Sequence, residues 1–172
     1  MAEQPARKKA EIVEELRASG QQLLMQLRAL PEKEFEQGRY ENGWNGRQIL
    51  AHVASIEWTY PRLLDLAKQG SADVRDAAQQ SGSVATATAQ GGIDAYNQRQ
   101  VEKRANTSVK DLLAEFEQNR ETFIAAVEAT DESLLQTPIR SAGGVTGPLA
   151  NVIYAVAVEH VLGHTNDIHG TS

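Results

Sequence analysis

Most of the metal or acid–base chemistry open to this 172-residue chain must come from its four histidines and its carboxylates, because it contains no cysteine. His160 and His164 stand four positions apart, the spacing that stacks two side chains on one helical face. Their Cβ atoms would lie about 5–6 Å apart, close enough for both imidazoles to bind one ion. The pair extends a stripe formed by Leu149, Ile153, Val156 and Ala157 and followed by Asp167 and Ile168, so an apolar face becomes imidazole-bearing in its final turns. Alone, such a pair is more often solvated or satisfied within a core than metal-bound. His52 changes the balance, since it lies three positions after Ile49 and four before Ile56, among the core positions of a different helix. An unpaired polar ring in an apolar core costs about 1–3 kcal/mol, whereas one divalent cation satisfies all three nitrogens together. Metal binding by His52, His160 and His164 is therefore the favoured expectation, and polar core histidines without metal are the alternative.

Three neutral imidazoles leave coordination positions open, the arrangement of a catalytic centre and not of a closed structural one. Zinc, nickel, iron and copper all accept imidazole. A chain without cysteine could run thiol chemistry there by taking the sulfur from a cosubstrate, or could activate water. Asp167 either orients the His164 ring or accepts hydrogen bonds near the helix end. Glu57 and Glu159 turn away from the ligand rings and are expected to be solvated. Trp44, Trp58, Tyr60 and Tyr154 are read as core packing or pocket wall. Asn97 and Arg99 either line a cleft or are solvated, and His169 is a tail imidazole.

The elements that must position these residues read as helices. Val13, Leu16, Gly20, Leu23, Leu27 and Leu30 step by three and four, which predicts a helix over 6–30 closed by Pro31. A second helix is expected after Asn42-Gly43, capped by Asn45 and kinked or ended at Pro61. Residues 70–92 carry few large apolar groups and predict a long connecting loop. A short polar helix follows over 93–105. Then comes a strongly amphipathic one in which Ser108 caps and Val109, Leu112, Leu113, Phe116, Phe123 and Val127 form the apolar face. Pro138 and the Gly143-Gly144 pair mark a connection, Thr146 is the expected cap, and a last helix covers about 148–168. No segment alternates with the period of a strand, so sheet content should be negligible. Long amphipathic helices are best buried side by side, which predicts an all-α four-helix bundle over residues 1–172 as one domain.

Composition narrows the function classes. Seventeen Lys and Arg against 23 Asp and Glu give a net charge of -6, which offers no surplus for neutralising a phosphate backbone, so nucleic acid is a poor partner. Neither a secretory signal core nor a membrane-spanning apolar run is visible, and the expectation is a soluble, cytoplasmic protein without a membrane partner.

The string WNGRQILAHVASIEW resembles the second-helix signature of the DinB-like superfamily of damage-inducible-type metalloenzymes, matching at Trp44 and His52. IDAYNQRQVEKRANTSVKDLLAEFEQNRETF is similar to the helices that follow in that superfamily and in the N-terminal domain of mycothiol-dependent maleylpyruvate isomerase. EHVLGHTNDI resembles its last-helix metal motif, matching at His160 and His164. The resemblance reaches from the first helix to Ile168. It implies an up-down-down-up bundle, a three-histidine centre holding nickel, zinc or a similar divalent ion, and a small-molecule substrate such as a low-molecular-weight thiol. It also implies chemistry of the S-transferase or isomerase type and is compatible with a homodimer. Asn45 stands where Ser or Thr is usual, and no distinctive thiol-recognition motif is apparent. Three classes remain open: a metal-dependent transferase or hydrolase, a non-catalytic small-molecule-binding bundle, and a homodimeric interaction module.

Overall fold

The fold is described from a computed structural model over residues 5–38, 43–70 and 92–170. Asn42 and the interior of the predicted connection, residues 71–91, lie outside the described residues. Helix α1 spans Lys9–Arg28 and begins where the Glu11 carboxylate accepts the Lys8 backbone N–H at 3.0 Å. Pro31 leads out of it into a 3-10 turn over Glu32–Glu36. Helix α2, Gly46–Glu57, opens on a reciprocal cap: the Asn45 side chain accepts the Gln48 N–H at 2.9 Å and the Gln48 side chain accepts the Asn45 N–H at 2.9 Å. The helix breaks before Pro61, which starts α3, Pro61–Lys68, at the position where a missing N–H costs nothing. Helix α4 runs Gly92–Lys103, and α5 runs Val109–Glu128 behind Ser108, whose hydroxyl accepts the Asp111 N–H at 3.1 Å.

Side-chain pairings set the helix directions. Arg17 and Arg28 of α1 meet Glu128 and Glu117 of α5, so these two helices are antiparallel. Asn119 donates to the Ala54 carbonyl and Arg47 to the carbonyls of Arg104 and Thr107, so α2 and α5 run the same way. The last helix starts beside the start of α1, where Asn151 accepts the Arg7 N–H, and ends beside the start of α2, where Ile168 packs on Gly46. A Cβ at position 46 would lie 3.1 Å from the Phe35 backbone and 3.3 Å from Ile168, so glycine is what permits this approach. Helix α5 and the last helix each pack against both α1 and α2, which places α1 and α2 on opposite corners. The path is up-down-down-up, as expected, and the parallel neighbours α2 and α5 are separated in sequence by the long connection. The core holds Leu16, Leu23, Leu27, Ile49, Leu50, Phe116, Phe123 and Val161, all essentially inaccessible.

Two expectations need correction here. Sheet content is minor, as expected, but it reaches Thr146: β1, Pro138–Arg140, pairs antiparallel with β2, Thr146–Pro148, and Ile139 is buried from it. Thr146 therefore lies in a strand, and Pro148 is the residue that precedes the last helix. That helix is also not uniform. It consists of α6, Leu149–Ile153, a π turn over Tyr154–Glu159, and α7, His160–His169, ended by Gly170 in the left-handed conformation. The extra residue in the π turn rotates the succeeding segment by about 100° relative to an uninterrupted helix of 3.6 residues per turn. Val161, Thr165 and Ile168 consequently face the core beyond it, while Val156 and Asp167 are only half-buried. No helix among the described residues is long and apolar enough to cross a membrane.

Candidate metal centre

Helices α2 and α7 bring three imidazoles together. The ring centroids of His52 and His164 are 5.1 Å apart, those of His52 and His160 5.7 Å, and those of His160 and His164 4.4 Å. One nitrogen from each ring falls within 4.8 Å of the others. The group has the composition of a metal site with open positions, three imidazoles and no carboxylate. His52 and His164 are buried, at 4% and 5% exposure, and His160 is the most solvent-facing of the three.

Burial chiefly, then the neighbouring rings of His164 and His160, holds His52 down to about 3. His160 is held down to about 4 by burial and His164, against the opposing pull of the Val156 carbonyl and Asp167. Burial lowers His164 as well, with Asp167 opposing. All three rings are therefore neutral near pH 7, the form in which imidazole ligates. The Nδ1 atom of His52 is buried without a hydrogen-bond partner among the described residues, and a cation would satisfy it. These observations fit a divalent metal.

The residues around the rings divide. The Asp167 carboxylate lies 3.2 Å from His164 Nδ1, one turn along α7, and can fix that ring's tautomer. Trp44 lies beside His52 with ring centroids 5.4 Å apart, and its indole N–H donates to Gln98 of α4 at 3.0 Å, so it forms a wall of the site. Asn97 is half-buried on α4, one position before that tie. Glu159 and His169 are exposed, as expected. Trp58 is not core: it is 57% exposed, with the Arg62 guanidinium over its ring.

Glu57 is the larger correction. It is fully buried and paired with Arg120, itself 3% exposed; Arg120 Nε lies 2.5 Å from Glu57 Oε1, and Arg120 Nη2 donates to Oε2 at 3.0 Å. Arg120 also donates to the Leu16 carbonyl, the Ser19 hydroxyl and the Ala157 carbonyl. Burial raises Glu57 to about 7 against the pull of the Arg120 guanidinium. The pair is hidden in the sequence because its members stand 63 positions apart. A signal is present all the same, since Arg120 lies four positions after Phe116 and three before Phe123, on the apolar stripe of α5.

Known proteins share this architecture. The crystal structure of the mycothiol-dependent maleylpyruvate isomerase superposes with a TM-score of 0.70 at 17% identity, over 98% of this chain and 63% of that one. A histidine-to-alanine variant of that isomerase gives 0.68 at 16% identity with the same coverage. This chain thus spans about 63% of the length of these two structures. YfiT from Bacillus subtilis, described as a probable metal-dependent hydrolase with an unusual four-helix bundle topology, gives 0.65 at 12% identity, over 100% of this chain and 93% of its own. No curated protein sequence matches. The profile of the mycothiol maleylpyruvate isomerase N-terminal domain matches residues 16–169, nearly the whole chain and all three clustered histidines, so the chain belongs to that family.

Proposed function

We propose that His52, His160 and His164 hold one divalent ion, nickel, zinc or similar, and that the chain is a metal-dependent enzyme acting through a low-molecular-weight thiol, of the S-transferase or isomerase type. The observation that carries this reading is the convergence of three imidazoles from two helices, with one nitrogen of each within 4.8 Å of the others. When bound, the ion supplies Lewis acidity, which lowers the pKa of a thiol or water placed at an open position. The protein's own residues orient and enclose: Asp167 holds the His164 ring, and Trp44, tied to Gln98, walls the side next to His52. The absence of cysteine suits a sulfur borrowed from a cosubstrate. Such thiols are kept reduced in the cytoplasm, which is where the reading places the protein.

Elemental analysis of protein purified without a polyhistidine tag tests the metal; about one ion per chain is expected, with His160→Ala losing most of it. Full occupancy in His160→Ala would overturn the ligand assignment. Metal-loaded protein is then assayed with mycothiol and related thiols against electrophilic acceptors such as maleylpyruvate. Turnover that needs the thiol supports the reading. Hydrolysis without it supports the alternative of a hydrolase, which the match along 93% of YfiT favours.

A further inference from the structure

The π turn directly before His160 is hydrogen-bonded by side chains from elsewhere in the bundle. Within it the His160 backbone N–H reaches back five residues to the Ala155 carbonyl, so it does not serve the Val156 carbonyl four residues back. The Val156 carbonyl instead accepts the hydroxyl of Tyr60, a buried residue at the α2–α3 junction. The next carbonyl, Ala157, accepts Arg120 Nη2 at 2.7 Å. Arg120 is fixed in turn by Glu57, Ser19 and the Leu16 carbonyl, and Gly20 lets its stem cross α1, since a Cβ there would lie 3.2 Å from Arg120 Cγ. Two donors from α5 and the α2–α3 junction thus meet two successive carbonyls within the π turn, those of Val156 and Ala157.

The consequence is rotational. Read as one continuous helix, the face of Leu149 and Ile153 carries His160, His164 and Asp167 into the middle of the core. One inserted residue turns α7 by about 100°. Val161, Thr165 and Ile168 then take the core positions, and the two histidines move to the edge that faces His52.

We infer that Tyr60, together with the Arg120–Glu57 pair, is a positioning residue for the metal centre: it maintains the π turn that aims His160 and His164 at His52. This rests on the metal reading above and concerns how the chain itself builds that site. Tyr60→Phe removes the hydroxyl and keeps the ring, and deletion of Ala155 removes the inserted residue. Cobalt(II) and zinc(II) affinities are measured by chelator competition, with the cobalt(II) visible spectrum as the signature of ligand geometry. We expect Tyr60→Phe to bind at least tenfold more weakly with a changed spectrum, and the Ala155 deletion to lose at least a hundredfold while its far-ultraviolet dichroism remains helical. Unchanged affinity and spectrum in Tyr60→Phe would overturn the inference even if the deletion fails to fold. Should the unaltered chain take up neither metal, the metal reading fails separately, and the crystal structure of Tyr60→Phe decides here. A retained π turn with the three rings still clustered would refute the positioning role, and a lost turn with dispersed rings would support it.

Discussion

His52 is 4% exposed and depressed to about 3 from 6.5, so in the absence of metal it is neutral in the folded chain and charged in the unfolded chain at pH 5. The unfolded state then binds the extra proton, and stability falls as pH drops below 6.5. A fully depressed histidine contributes a slope of about 1.4 kcal/mol per pH unit in that window. His160 and His164 act in the same direction. Glu57 acts oppositely, because a carboxyl raised from 4.5 to about 7 lowers stability as pH rises through that range. Three histidines outweigh one carboxyl, so urea midpoints of chelator-treated protein should fall between pH 6.5 and 4.5. His52→Gln should flatten the dependence by roughly one proton's worth; identical slopes would show that His52 is not buried neutral. The identity of these three residues is legible in sequence, because i, i+4 spacing and a place among core positions are local patterns. The burial of Glu57 is not, since it depends on a guanidinium from another helix.

Arg120 secures an element more than a site, joining α1, α2, α5 and the π turn through one guanidinium. Arg120→Met leaves the Glu57 carboxylate buried and unpaired, which should cost about 3–5 kcal/mol in urea unfolding. Adding Glu57→Leu should recover part of that loss, and strict additivity of the two changes would mean that the residues are energetically independent. At the opposite end of α2, Asn45→Ala removes one half of the reciprocal cap and should cost about 1 kcal/mol by the same measurement. That cap, like the one at Ser108, can be read directly from residue type because capping involves neighbours three positions apart. The π turn cannot. Tyr154–Glu159 contains nothing that forbids α-helix, and the side-chain donors that meet its carbonyls come from Tyr60 and Arg120. The β1–β2 ribbon is invisible for a similar reason: three residues per strand are too few to display a period of two.

At the scale of the molecule, a metal at the three histidines would tie α2 to α7 across more than 100 positions of sequence. Since the unfolded chain offers no such cluster, free ion at a hundred times its dissociation constant should stabilise the fold by about 2.7 kcal/mol. Thermal unfolding with and without chelator checks this: a rise on metal addition is expected for the unaltered chain and none for His160→Ala. Bundle architecture itself is readable from sequence, because each long helix shows one apolar stripe. Which helices become neighbours is a property of the path, and only the family resemblance supplies it.

That path also governs the order of assembly during synthesis. Helices α1 and α2 occupy opposite corners, so when the chain through residue 70 has left the ribosome they present little surface to one another. The partner they share, α5, is not complete until residue 128 has been translated, and the histidines of α7 emerge later still. A nascent chain of this topology therefore carries α1 and α2 with part of their apolar stripes uncovered until α5 and the last helix have been made, an interval in which exposed apolar surface invites aggregation. On the metal reading, the ion could be captured only after α7 has joined α2.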